Sequence, residues 1–256
     1  MYNAIVRYIV EGSLLIMQRV IGFICALVLM APGLGRAQTA EPEVILPGYL
    51  LVVGRATDRS KIGSYAAALP PIYASHRAYY LAIGGASRGV TWLEGPLFDR
   101  SVVIGKFPSR AEIDRFWWGE PYRAAIKKRD NAGVFSVVAL EASIASPFEG
   151  LGTGLMIVMT GSRDNSPAQL ALSELAADAL RESVASSGGV ILTKNDRYNF
   201  TSLEGDSVFD RIAIVAWPTL AARDAYLVSH AGRRAASIRQ RLGVSVVGII
   251  NGIPKQ

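Results

Sequence analysis

The sequence predicts an α+β protein: two tandem βαββαβ units, packed sheet to sheet. Three observations predict it. One motif recurs, with Leu93-Glu94-Gly95 then Phe98-Asp99-Arg100 returning as Leu203-Glu204-Gly205 then Phe209-Asp210-Arg211. Around each copy, short Val/Ile-rich runs alternate with helix-period segments in the order β-α-β-β-α-β. The chain has 256 residues, 50% hydrophobic and 19% charged, which excludes a disordered tail and gives material for one or two domains.

The first 37 residues are not read as fold. Arg19 precedes the apolar run Val20–Met30, and a small-residue end closes at Gly35 and Ala37. A basic start, an apolar core and a small-x-small end describe a secretory signal peptide (1–37), cut before Gln38, with Met17 a more natural start than Met1. The run is short for a spanning helix, so the expectation is a periplasmic or secreted protein with no stable membrane insertion after cleavage. An uncleaved, membrane-anchoring signal is the alternative. Cys25, the one cysteine, lies in this segment, so the mature chain can form no disulfide. Residues 38–47 read as a polar leader.

The first unit spans 48–145. Gly48–Arg55 is an apolar run of strand length. Asp58–His76 has helical character that Pro70-Pro71 should break or kink. Ala78–Ile83 and Arg100–Phe107 read as strands, rich in Val, Ile and aromatics. Ser109 caps a helix whose Ile113, Phe116 and Trp117 share one face. Val134–Leu140 closes the unit. Residues 146–153 are a Pro/Gly linker; its alternating glycines lack the spacing and following helix of a dinucleotide-binding turn.

The second unit spans 154–252. Strand Leu155–Thr160, a long helix from Pro167, strands Val190–Lys194 and Arg211–Trp217, a helix capped by Thr219, and strand Val244–Ile250 follow in turn. Between the halves, Phe116 matches Tyr226, Arg123 matches Arg233 and Arg129 matches Arg239, all at one constant spacing. The element order is that of the ferredoxin-like split βαβ motif. Its sheet carries helices on one face only, so the second unit is expected to cover the first as an intramolecular pseudo-dimer.

The first unit resembles a small bacterial domain-of-unknown-function family of the dimeric α/β-barrel superfamily. The resemblance rests on Gly48-Tyr49, Thr57-Asp58, Tyr65, Gly84-Gly85, Leu93-Glu94-Gly95, Phe107-Pro108-Ser109, and the helix with Tyr122 and Arg129. It covers 48–142. The first unit departs at Ile83, where the family is often basic. The second unit has Gly232 in place of the tyrosine. The resemblance implies a dimeric α/β barrel more than a function, since such folds include cofactor-free monooxygenases, lactone isomerases, haem-dependent dismutases and stress-induced proteins.

Candidate chemistry is sparse. Glu94 and Glu204 sit in what reads as a turn, where a carboxylate serves either as a base or as a local acceptor. His76, after a helix end, is the other candidate base, and a haem would require it to face a cavity. Arg129 could anchor an anion, or simply complement a helix end. Trp118 and Tyr122 could shape an aromatic pocket. Asp99-Arg100 and Asp210-Arg211 could clamp an anionic group or form surface ion pairs. The net charge of +6 is weak support for a polyanion partner, and export argues against nucleic acid. Neither a cofactor nor a metal is expected.

The leading expectation is an exported small-molecule-binding or stress-type protein without catalysis, its pocket between sheet and helices of the first unit. The alternative is a cofactor-free oxygenase- or isomerase-like enzyme acting on a small organic acid or aromatic. There Glu94 or His76 is the base, and Arg129, Tyr122 and Trp118 converge in one cavity. A structural or interaction module is the third reading.

Overall fold

The computed structural model describes residues 45–85 and 89–255. The expected signal peptide and Cys25 lie outside the described residues. Among the described residues, no helix is long and apolar enough to cross a membrane.

Among the described residues, ten strands and six α-helices follow one another. They are β1 (Gly48–Ala56), α1 (Arg59–Ser75), β2 (Tyr79–Gly84), β3 (Val90–Glu94), β4 (Ser101–Phe107), α2 (Arg110–Trp118), α3 (Glu120–Ile126) and, after a 3₁₀ turn at Lys127–Arg129, β5 (Gly133–Glu141). Then come β6 (Gly154–Gly161), α4 (Pro167–Ser186), β7 (Val190–Ile191), β8 (Phe200–Glu204), β9 (Arg211–Trp217), α5 (Leu220–Val228), α6 (His230–Arg239) and β10 (Val244–Asn251). The strands form two five-stranded sheets, ordered β2-β4-β1-β5-β8 and β7-β9-β6-β10-β3. Their ladders are antiparallel.

Strand β1 shows why the apolar runs are continuous. Its Tyr49 and Leu51 enter the core between the two sheets, where they meet Leu155, Ile157, Ile212 and Ile214. Its Leu50 faces the helices with Phe107, Ile113, Phe116 and Tyr122. Both faces are buried, so neither alternate residue can be polar. The second sheet does the same, with Met156, Val158, Val215 and Trp217 under α4 and α5.

The short strands β3 and β8 cross between the halves. Strand β3 pairs with β10, setting Trp92 beside Gly248 and Glu94 beside Val247. Strand β8 pairs with β5, setting Glu204 beside Val137. The two Leu-Glu-Gly segments, expected as turns, are therefore strand ends. The glycines that close them need the left-handed region: φ is +87° at Gly95 and +71° at Gly205. At either one a Cβ would come within 2.6 Å of a neighbouring atom.

Three helix expectations need correction. Helix α1 runs unbroken through Pro70 and Pro71. The prolines remove bonds to the Ala66 and Ala67 carbonyls, but these residues are exposed and water can serve them, while Leu69 and Tyr73 stay anchored in the core. The helix from Ser109 breaks at Gly119, which is extended; Pro121 then lies in the first turn of α3, where its missing N–H costs nothing. The helix from Thr219 breaks at Ser229, whose Oγ accepts from the Gly232 N–H and so starts α6.

A fourth correction concerns register. Gly54 of β1 faces Ser101 of β4, and Thr160 of β6 faces Arg211 of β9. Ser101 and Arg211 thus hold the same place, and Arg100 corresponds to Asp210. The two Asp-Arg pairs do not open their strands equivalently. One more residue separates Gly205 from Phe209 than separates Gly95 from Phe98.

Candidate functional site

Glu94 and Arg129 lie in different places, each bound to the other half's counterpart. Arg129 ends the 3₁₀ turn after α3, with its side chain 6% exposed. Its Nη1 and Nη2 donate to Glu204 Oε1 and Oε2 at 2.7 and 2.5 Å. The Phe135 and Tyr65 rings flank the guanidinium at 4.4 and 5.2 Å. Arg239 ends α6 and grips Glu94 through Nη2 at 2.5 Å and Nε at 3.2 Å. Ser245 Oγ and Gln240 Nε2 also donate to Glu94, at 2.6 and 3.1 Å. Burial pushes the Glu94 carboxyl up, but Arg239, Ser245 and Gln240 more than offset it and hold it below the ordinary range. A carboxylate with its lone pairs so engaged is a poor general base.

The other sequence candidates are also placed. His76 caps α1, and its Nδ1 lies 2.7 Å from Glu112 Oε1. Its ring meets the edge of Phe116. The bond to His76 holds the Glu112 carboxyl low, helped by Arg115. Tyr122 is buried, its Oη 3.1 Å from Tyr65 Oη and its ring against Phe116 and Trp117. Burial pushes its phenol far up. Trp118 is 63% exposed, under the Arg123 guanidinium. Tyr122 and Arg129 share Tyr65, and His76 reaches Phe116. Glu94 is on the other sheet and Trp118 is outside. The five residues do not line one cavity.

One cavity lies between the sheets; two larger, more open clefts lie along α4, one beside β7 and one beside α6. The cavity between the sheets measures about 260 Å³. Leu51 and Val53 of β1, Val138 of β5, Met159 of β6 and Ile212 of β9 form its apolar wall. The β3–β4 loop adds Leu97 and Arg100, and the β8–β9 loop adds residues 205–209. Phe98 (68% exposed) sits on the first loop beside Leu97, and Val208 of the second loop and Val134 are also exposed apolar residues. Its charged lining residues are Arg100 and Asp206, of which Asp206 is exposed.

Arg100 is held by its backbone, because its carbonyl accepts from Trp92 Nε1 at 3.0 Å. Its Nε is shielded from water and has no hydrogen-bond partner. Asp99 Oδ1 stands 3.3 Å from that nitrogen, while Asp99 Oδ2 accepts from Arg55 Nη1 at 3.0 Å. In the second half, a void of about 10 Å³ under α4 is lined by Asn195, Arg211 and Arg239, and holds no more than a water.

Sequence reasoning missed this site because it looked within one half. The available signal was the repeated motif itself, whose two loops both reach the cavity. Among the described residues, no group of three His, Cys, Asp or Glu side chains is placed to hold a metal.

Residues 47–143 match the family model described as a domain of unknown function (DUF1330). That stretch and the one marked by the sequence motifs agree to within one residue at each end. No curated protein matches. Among solved structures, the chain is similar to a provisionally named monooxygenase from Fusobacterium nucleatum. The two are 7% identical, with 83% of this chain and 95% of that one covered, at a TM-score of 0.50. An anthrone oxidase-like protein is 12% identical, with 82% and 92% covered, at 0.49. A provisionally named monooxygenase from Lactobacillus acidophilus NCFM is 10% identical, with 82% and 98% covered, at 0.46. These are folds of the dimeric α/β-barrel type, and identity this low speaks for fold alone.

Proposed function

We propose that the protein binds a small apolar molecule in the cavity between its sheets, without catalysing a reaction on it. The observation that carries this reading is the cavity wall, which both sheets supply with aliphatic side chains and which opens to solvent past two loops. An enzyme would need a base facing the ligand. His76 and Glu94 are engaged elsewhere, and the cavity's acidic group, Asp206, is exposed.

The chain is read as a tandem ferredoxin-like pseudo-dimer, with halves 48–145 and 154–252 descended from one duplicated unit. The identical strand order of the two sheets and the reciprocal Arg129–Glu204 and Arg239–Glu94 pairs support this. Export with a mature start at Gln38 completes the reading.

Native mass spectrometry of the protein from a periplasmic fraction tests it. The expected result is a chain starting at Gln38 with excess mass that disappears on denaturation. Ser136→Phe, which fills the cavity, should remove the excess. A clean mass that stays clean after soaking with small apolar acids and alcohols would overturn the binding reading.

A further inference from the structure

One hydroxyl on the cavity wall is open to an occupant. Ser136 of β5 stands opposite Val53 of β1. Val138, two residues on, enters the inter-sheet core, while Val137 packs under the helices. Alternation therefore turns Ser136 inward, where it lines the cavity. Among the described residues, its Oγ has no hydrogen-bond partner, and it is not shielded. Ser207 differs, because its Oγ accepts from the Phe209 N–H of its own loop at 3.2 Å.

The charged groups of the lining hold no place for an ionic ligand. Arg100 is ion-paired with Asp99, and its Nε is shielded. Asp206 is exposed to water. The rest of the wall is mainly aliphatic, so an ion drawn in among those side chains would lose its hydration without gaining a counter-ion. A hydroxyl both donates and accepts, and so suits an uncharged oxygen. Size narrows the occupant further. An engineered cavity of about 150 Å³ takes benzene, so about 260 Å³ takes about ten non-hydrogen atoms.

We infer that the occupant is an uncharged molecule of about ten non-hydrogen atoms, apolar except for one alcohol or carbonyl oxygen. That oxygen bonds Ser136 Oγ, and the apolar body lies against Leu51, Val138, Met159 and Ile212. This rests on the binding reading above and adds the chemical class.

The test is isothermal titration of the purified protein at pH 7 with four eight-carbon probes: octan-1-ol, octan-2-one, octanoate and octylammonium. The tighter of the two uncharged probes should bind about tenfold or more tighter than either ion. Ser136→Ala keeps the cavity and removes the hydroxyl, and should weaken that probe about fivefold. Should Ser136→Ala be unstable, Ser136→Cys, of nearly the same size but a weaker donor, should show the same direction of loss. An ion that binds as tightly as the uncharged probes overturns the uncharged class and leaves the cavity reading standing; a tighter ammonium assigns the head group to Asp206 instead. Unchanged affinity of the uncharged probe in the Ser136 variant overturns the role of that hydroxyl. Binding of none of the four overturns the cavity reading itself.

Discussion

Glu204→Gln should be among the most damaging single substitutions in the protein, although Glu204 does not line the cavity. The carboxylate accepts both Nη groups of Arg129, whose side chain is almost wholly shielded. Breaking a buried pair from one side costs about 3–5 kcal/mol, because the remaining charge is stranded. Two features favour the low end. Glu204 is itself 29% exposed, and the Phe135 and Tyr65 rings still face the cation. The expected cost is about 3 kcal/mol, which for a domain of this size lowers Tm by about 6–12 °C. Calorimetry and urea unfolding followed by tryptophan fluorescence both read it. The double variant Arg129→Met/Glu204→Gln should recover more than half the loss, since an apolar replacement of both partners strands nothing. A single variant within about 0.5 kcal/mol of the parent, the usual range for surface changes, would refute the claim that this pair holds β8 onto the first sheet.

Three further outcomes follow from the same geometry. The Glu94 carboxyl is held low in the folded state, so it contributes stability above the ordinary carboxyl pKa of about 4.3 and loses it as pH falls through the folded value; the stability gap between the parent and Glu94→Gln should be flat from pH 6 to 8 and should shrink below about pH 4.3. Gly205→Ala should cost about 2 kcal/mol or more in urea unfolding, because the left-handed backbone disfavours a side chain and its Cβ would lie 2.6 Å from the Phe135 carbonyl oxygen. Trp118→Ala should change stability by less than about 0.5 kcal/mol and leave ligand titrations unchanged, since the ring packs outside the cavity.

The layer plan was legible in the sequence, and the crossings were not. Gly48–Arg55, Arg100–Phe107 and Val134–Leu140 carry a strand signal of their own, and Ser109 and Thr219 announce their helices as caps. The Leu-Glu-Gly strands do not. Each has five residues and makes sense only against a partner strand from the other half. The same distance hid the ion pairs. The sequence matched Arg129 with Arg239 and Glu94 with Glu204, but the true partners lie 75 and 145 residues apart, and no local periodicity links such positions. Searching for a site inside one half therefore gathered residues that the fold separates. His76 and Tyr122 read as candidate chemistry because imidazole and phenol are reactive groups. Their neighbours Glu112 and Tyr65 turn them into packing and capping groups.

Two sheets with one strand order would be expected to turn the same charge inward, and a one-position offset of the motif accounts for the difference. The β3–β4 and β8–β9 loops both have six residues, 95–100 and 205–210, but Phe-Asp-Arg stands one position later in the second, so it meets the strand one position later. A shift of one in a strand moves a side chain to the opposite face. Arg100 precedes its strand and faces the interior, whereas Arg211 is the first residue of β9 and turns under α4, where Glu174 accepts from its Nη2 at 2.7 Å. The interior-facing place in the second half falls to Asp210, already occupied by Arg197 and Ser162. One half thus presents an arginine to the interior and the other an aspartate. That offset of one position explains how one repeated motif turns a cation inward in one half and an anion inward in the other. Moving the segment one position earlier by the double substitution Asp210→Arg/Arg211→Ser should place a cation toward the interior and remove the bond to Glu174. A side chain at position 210 turned away from the interior in a structure of that variant would refute the register argument.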